Sequence, residues 1–446
     1  MKFYNRKEEL KQLEGLYRQA NDTARMTVIT GRRRVGKTML ALEFARRHRF
    51  IYLFVSKKSE HLLCMEYMDE IRKQFHIPVI GEIRWFKDVF ALLLELSKKE
   101  RFTLIIDEFQ EFYNINPAVY SEIQRLWDLN KAGCRMNLIC IGSVYSLMHR
   151  IFEEAKEPLF GRADRILFLK PFTIMEIYNV LSDFGVKDAR ALFDVSLFTG
   201  GMPKYLDILT SYSALSYGNI LDIILEANSP FVNEGRNLLI EEFGKEYGTY
   251  FSILELISIG KTARTEIESV LEIHAGAYLS RLEGDYAVIS RLRPINAKPG
   301  SRLLKYRITD NFLNFWFRFI FRNRSAAETG NFAYIREVID RDYSTYAGLI
   351  LEKFFQELFA ETGRYNSIGS YWERGNQNQI DLVAVNDLKK ELVIAEVKLD
   401  KSRISIGSLK RKAKELLAAY SGYKTEWLGL SIEDVERYIS DRFKKE

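Results

Sequence analysis

From Met1 to about Gly161, short apolar runs alternate with longer amphipathic ones. MTVIT (26–30), FIYLFV (50–55), FTLIID (102–107) and NLICIG (137–142) predict buried strands. Between them, KTMLALEFARRH and VYSEIQRLWDLNK carry the helical period. Buried strands alternating with helices predict a parallel α/β sheet covered on both faces. From Pro171 to about Leu225 the pattern turns helical, broken by TGGMP at 199–203. A helix-rich stretch ending in a hairpin is expected from about Tyr250 to Ile308. Aromatic Phe312–Phe321 then leads into the polar RNRSAAETGN, the best sequence boundary between domains. From about Tyr346 a long helix, a strand hairpin at 380–399 and a basic helix after Ser408 are expected.

Composition narrows this picture. With 446 residues, 47% of them apolar, the chain can form two to four domains with proper cores, and 8 Pro and 26 Gly exclude wholesale disorder. Three cysteines without a CxxC pair exclude a disulfide framework and are expected as buried thiols. MKFYNRKEELK lacks the apolar core of a signal peptide, and Asn314 and Arg318 interrupt the greasiest stretch. The protein is therefore expected to be cytoplasmic, with no membrane association. A net charge of +6 permits a polyanionic partner without demanding one. The histidines show no zinc-protease spacing, and no nucleophile elbow is present.

Gly31-Arg-Arg-Arg-Val-Gly36-Lys37-Thr38 satisfies G-x-x-x-x-G-K-[ST] between an expected strand and an expected helix. Glycines let the backbone curl so that its N–H groups surround phosphate oxygens at the positive end of a helix. The segment Gly31, Arg32, Arg33, Arg34, Val35, Gly36, Lys37, Thr38 and Met39 is thus the expected ATP-binding loop. Lys37 reaches the β- and γ-phosphates, Thr38 is a Mg²⁺ ligand, and the arginine side chains form a solvated face. The strand at 103–107 ends in Asp107 and Glu108; Asp107 would hold Mg²⁺ and Glu108 polarise the attacking water. Adjacent carboxylates ending a buried strand must find a cation or become desolvated, which favours hydrolysis over binding alone. Ser143 is expected to sense the γ-phosphate. Arg162 is either a finger, acting within the chain or on a neighbouring subunit, or an ordinary surface salt bridge. Pro203 is either a helix break or part of a lid touching the base.

FYNRKEEL, GRRRVGKT, LIIDEF, the GS at 142–143, the GR at 161–162 and TGGMPKYL together resemble the archaeal-type ATPases, a P-loop branch related to AAA+ and STAND ATPases. The resemblance covers roughly the first half of the chain. It implies that Asn5 and Arg6 lie near the adenine, that Ser143 is the sensor and that Arg162 is a candidate finger. Many relatives of the broader class carry Gly where Asn5 stands.

The stretch Tyr250–Ile308 reads as three helices and a hairpin, the order of a winged helix. Its third helix carries Tyr278, Ser280 and Arg281. The hairpin adds Arg291, Arg293, Lys298, Arg302, Lys305 and Arg307, six bases without an intervening acid, which suits a wing along DNA phosphates.

Near the C-terminus, a hairpin centred on NDLKKE would set Asp381 opposite Glu396, with Glu396 and Lys398 on one face. Paired carboxylates in apolar strands should shift each other's pKa, and Mg²⁺ or Mn²⁺ would resolve the conflict. D-x₁₄-E-x-K is similar to the PD-(D/E)xK signature of restriction-endonuclease-like folds, with Ile380 in place of the usual Pro. This stretch also resembles the domain of unknown function that commonly follows archaeal-type ATPase domains. Glu352 matches the position of a further helix acid and metal ligand, with Glu357 and Glu361 as alternatives; SLKRKAK (408–414) would supply charge for a nucleic-acid backbone.

The expected architecture is therefore α/β: a P-loop NTPase core (1–165), a helical lid (166–235), a winged helix (236–325) and a restriction-endonuclease-like domain (346–446). The expected function is an ATPase coupled to a DNA-binding module and a metal-dependent nuclease, as a homo-oligomer or alone. The alternatives are a STAND-like switch with a non-cleaving recognition domain and a transcriptional regulator.

Overall fold

A computed structural model describes residues 2–77, 81–298, 300–301 and 303–443. The chain forms two compact units, residues 2–170 and 171–446. The first runs through α1 (Lys7–Gln19), β1 (Arg25–Gly31), α2 (Lys37–Ala45), β2 (Phe50–Phe54), α3 (Glu60–Phe75), α4 (Phe86–Lys99), β3 (Phe102–Asp107), α5 (Phe112–Ile115), α6 (Ala118–Asn130), β4 (Met136–Ile141), α7 (Tyr145–Glu153) and β5 (Arg165–Leu169). Its strands form one sheet in the order β2-β3-β4-β1-β5, all pairs parallel.

Burial explains this order. Every residue of β3 and β4 is buried, so both lie in the sheet interior, whereas β2 and β5 alternate and form the edges. Helices cover the sheet with an aromatic core that includes Phe86, Phe90, Phe109 and Trp127. The register aligns Ile29 with Ile141 and Ile106 with Cys140, so β1, β3 and β4 end along one edge. Parallel strands bring their carboxyl ends together in this way, and the loops there form the site. The fifth strand is absent from the apolar runs in the sequence, because an alternating edge strand beginning with Arg165 carries a weak signal. The first unit accordingly extends through β5 to Lys170 rather than stopping at 165.

The second unit begins with α8 (Ile174–Asp183), α9 (Ala189–Thr199), α10 (Pro203–Ser211), α11 (Tyr217–Ile224) and α12 (Pro230–Phe243). Next come α13 (Tyr247–Ser258), α14 (Arg264–Leu271), α15 (Gly276–Gly284) and an antiparallel hairpin of β6 (Ile289–Leu292) and β7 (Lys305–Ile308). The chain continues through α16 (Asn311–Phe315), α17 (Arg324–Glu328) and α18 (Phe332–Glu361). It then forms β8 (Ser367–Tyr371), β9 (Ile380–Asn386), β10 (Glu391–Val397), α19 (Ile406–Lys412), α20 (Lys414–Ala419), β11 (Lys424–Leu430) and α21 (Val435–Phe443). The last four strands form a sheet in the order β11-β10-β9-β8, antiparallel except for the β10–β11 pair. That parallel pair needs a crossover, which α19 and α20 provide.

The expected divisions at 235 and 346 fall inside this one unit. RNRSAAETGN contains α17 instead of a linker, and α18 starts at Phe332 and runs for 30 residues. The reason is that side chains of α18 bond segments distant in the sequence. At its C-terminal end the Glu361 carboxylate accepts from Ile174 N (2.8 Å) and Met175 N (3.2 Å), satisfying free amides at the start of α8. Further up, Lys353 Nζ donates to Thr309 O (2.7 Å) and Asn311 Oδ1 (2.6 Å). Among the described residues no helix is long and apolar enough to cross a membrane. All three cysteines are free and buried, and burial pushes the Cys64 thiol up to about 12.

Candidate functional site: a phosphate loop and a paired carboxylate sheet

The phosphate loop leaves β1 at Gly31 and enters α2 at Lys37. Arg34 (φ 72°) and Gly36 (φ 92°) take left-handed backbone, which curls the segment in front of the helix N-terminus. Lys37 Nζ donates to Gly31 O (2.8 Å) and Arg32 O (3.0 Å), which holds the ammonium over the loop. Thr38 Oγ1 donates to Asp107 Oδ2 at 2.6 Å. The loop and the acid-tipped strand thus meet in one hydrogen bond, joining a hydroxyl and a carboxylate, the kind of oxygen donors Mg²⁺ takes. Glu108 has left-handed backbone (φ 53°) and accepts from Ser143 Oγ (2.7 Å) and Gln110 Nε2 (2.5 Å). Ser143 therefore sits beside Glu108, at the edge shared by β3 and β4. A Cβ at Gly142 would lie 2.2 Å from Met148 Sδ and 2.5 Å from Gln110 Oε1, so a larger residue there would have to displace both side chains.

Two residues at this site had no sequence signal. Tyr52 OH donates to Asp107 Oδ2 (2.9 Å), and Gln110 holds Glu108. Burial first, then the Asp107 charge, raises the Tyr52 phenol above its ordinary value, so it remains a donor. Arg6 is buried and donates to Val35 O (3.3 Å) and Lys170 O (2.6 Å), bracing the phosphate loop from behind. Asn5 beside it is left-handed (φ 57°), with its Nδ2 buried and without a partner. The arginines correct the expectation of a solvated face in part, because Arg34 is exposed but Arg32 and Arg33 are half-buried. Met39 is exposed. Arg162 makes the surface pair that was its plainer reading, to Asp128 (3.2 Å), and also donates to Phe160 O (2.8 Å). Pro203 is the first residue of α10 in the second unit, after left-handed Gly200 and Gly201.

In the second sheet, β9 and β10 pair from Asn386–Glu391 to Leu382–Ala395, so the next step in register is Asp381–Glu396. The two carboxylates do not share one cation. Asp381 Oδ2 accepts from Lys398 Nζ (3.0 Å) and Val397 N (2.9 Å), while Glu396 takes Lys412 Nζ (3.2 Å) and Ser405 N (3.1 Å). Each acid has its own lysine, and Lys412 from the basic helix is turned inward. Burial opposes the charge on Lys398, but the Asp381 carboxylate prevails and raises it. Of the three helix acids considered, Glu361 caps α8 and Glu357 pairs with Lys353 (3.5 Å). Glu352 feels Asp381: burial first, then that neighbouring charge, pushes its carboxyl up to about 8. Among the described residues no group of three His, Cys, Asp or Glu side chains could hold a metal ion. With their lysines in place, these acids do not form a cation cage.

The β6–β7 hairpin also departs from expectation. Arg291 is tied to Glu283 (2.7 Å) and Arg302 lies outside the described residues. Lys305 lies 4.6 Å from the centroid of the Trp372 ring, and Arg307 is turned inward with its Nε buried. Among the described residues of the six, only Arg293 and Lys298 are exposed without such a tie. On the third helix, Ser280 is exposed, Tyr278 is half-buried and Arg281 pairs with Glu246 (3.2 Å). A two-residue period can put Lys305 and Arg307 on one face, but it does not say which face.

Residues 3–209 match the family described as an ATPase domain predominantly from Archaea, and residues 316–415 match archaeal and bacterial proteins of unknown function. An uncharacterized protein of Methanocaldococcus jannaschii is 32% identical over 407 residues, covering 89% of this chain and 87% of its own. The Walker-type ATPase PABY2304 of Pyrococcus abyssi superposes with a TM-score of 0.54 at 18% identity, over 71% of this chain and 96% of its own. The ORC2 protein of Aeropyrum pernix, solved as ADPNP–ADP complexes, gives 0.47 at 15% identity, over 72% and 95%. With its phosphate loop joined to the acid-tipped strand of a five-stranded parallel sheet, the chain belongs to the archaeal-type P-loop ATPase family.

Proposed function

We propose that the chain hydrolyses ATP at the edge formed by Lys37, Thr38, Asp107, Glu108 and Ser143, and couples nucleotide state to action on DNA by its C-terminal sheet. The observation that carries the first half is the Thr38–Asp107 contact at 2.6 Å. Loop amides and Lys37 bind the β- and γ-phosphates, and Thr38 and Asp107 would hold Mg²⁺, which neutralises developing phosphate charge. Glu108, held by Ser143 and Gln110, orients the attacking water. Asn5 is the candidate base contact, with Arg6 bracing the loop. For Arg162 to act on a neighbouring copy in a homo-oligomer, its pair with Asp128 must first open.

For the second half, the order α18-β8-β9-β10-α19/α20-β11 around a mixed sheet supports a restriction-endonuclease-like reading, with Asp381, Glu396 and Lys398 as its reactive set and Glu352 beside them. Metal binding there has to displace Lys398 from Asp381 and Lys412 from Glu396. The same two pairs favour the rival, a regulatory switch whose C-terminal domain recognises a partner without cutting. The helices and hairpin at 247–308 supply the winged-helix candidate for DNA contact, through Arg293 and Lys298.

The test is cleavage of plasmid and linear DNA with Mg²⁺ or Mn²⁺, with and without ATP, by wild type, Lys37→Ala and Lys398→Ala purified identically. ATP turnover should fall by at least about a hundredfold in Lys37→Ala, and cleavage should vanish in Lys398→Ala while turnover persists. Turnover surviving in Lys37→Ala would reject the ATP site. Silence of wild type and Lys398→Ala alike, with turnover intact, would select the switch.

A further inference from the structure

Within the second unit, the inner face of the hairpin, α18 and β8 enclose a cavity of about 270 Å³ that does not include Asp381, Glu396 or Lys398. Lys305 and Arg307 leave the same face of β7 and line it. Lys353 contributes a third positive charge, against Glu352 as the one acid in the lining, so the wall carries a net two positive charges even with Glu352 ionised. Lys353 is committed to Thr309, Asn311 and Glu357. The other two are held less closely: Arg307 Nε is buried without a partner, and Lys305 Nζ lies 4.6 Å from the centroid of the Trp372 ring, with the Glu352 charge acting on both cations. Burial depresses both cations, a cost that an anion would relieve. The cavity also holds Asn314, whose Oδ1 is buried without a donor, and the flat indole of Trp372.

We propose that this cavity binds a nucleoside monophosphate, its phosphate on Lys305 and Arg307, its base against Trp372, and an amino group donating to Asn314 Oδ1. A guanidinium presents a fork of donors matched to phosphate oxygens, and an indole face suits a planar base. The volume of about 270 Å³ lies just under the roughly 300–1,000 Å³ usual for organic-ligand pockets, which favours a mononucleotide over a dinucleotide. The cavity shares no lining residue with the phosphate loop, and of the residues in the nuclease reading it shares only Glu352.

Calorimetric titration of the full chain tests it, with Lys37→Ala as the background so that the phosphate loop does not report. AMP should bind one-to-one. Lys305→Gln or Arg307→Gln on that background should each weaken it at least tenfold, while Lys245→Gln, at an exposed site on the same unit, should not. Inorganic phosphate should compete, and adenosine should bind at least tenfold more weakly than AMP. Circular dichroism melts identify a variant that has lost its fold, in which case the other variant carries the test. Absence of AMP binding in the Lys37→Ala protein, AMP binding indifferent to the folded hairpin variants, or adenosine binding as tightly as AMP would each overturn the proposal.

Discussion

Gly31 and Gly36 look equivalent in the motif, yet their surroundings differ. Gly31 has φ 136°, and a Cβ there would stand 2.5 Å from the carbonyl oxygen of Leu169, an atom of the strand backbone that cannot turn away. Gly36 has φ 92° and nothing within 4 Å of such a Cβ. Gly31→Ala should therefore destabilise the fold by about 1–3 kcal/mol from backbone strain, with the clash added, and Gly36→Ala by clearly less. Urea midpoints would check the order, and equal losses would refute the steric account. Gly31, Lys37, Thr38, Asp107 and Glu108 were legible in the sequence because phosphate chemistry needs those residue types at those spacings. The partner that makes Gly31 obligatory lies in β5, whose short alternating run gave no strand signal, and nothing in FIYLFV marks Tyr52 as a donor to Asp107.

Among the elements, α18 departs most from its sequence reading. Polar RNRSAAETGN suggested a boundary, but Lys353 and Glu361 bond residues far away in the chain, and such long-range pairs leave no local pattern. The carboxylate hairpin fared better, because the midpoint of its loop sets its register. What the hairpin could not reveal was the partner of each acid, since Lys412 arrives from another helix. Glu352 on α18 has a thermodynamic consequence. Burial, and then the Asp381 charge, push its folded carboxyl up to about 8 from an ordinary 4.5, so between those values the folded protein binds more protons than the unfolded chain. Stability from this group is accordingly present at low pH and declines as pH rises from about 4.5 to 8. Glu352→Gln should flatten that part of the profile and be the more stable protein at pH 8, measured by urea midpoint against pH. An unchanged slope would show that Glu352 ionises freely in the folded protein.

For the whole molecule, the sequence pattern distinguished the parallel core from the helical and mixed remainder of the chain, although it divided residues 171–446 into three where the structure has one compact unit. Coupling between the two units is a thermodynamic question with a direct readout. A ligand that binds the folded first unit stabilises it by RT ln(1 + [L]/Kd), roughly 2.7 kcal/mol at a hundred times Kd. If nucleotide state biases the second unit, as the proposed function requires, part of that free energy must appear there as well. Scanning calorimetry with a non-hydrolysable ATP analogue and Mg²⁺ should therefore raise the unfolding transitions of both units. Lys37→Ala should abolish both shifts together, since one binding event causes them. A rise confined to the residues 2–170 transition would mean that nucleotide binding carries no coupling free energy to the C-terminal sheet, and any effect of ATP on DNA would then have to come from turnover alone.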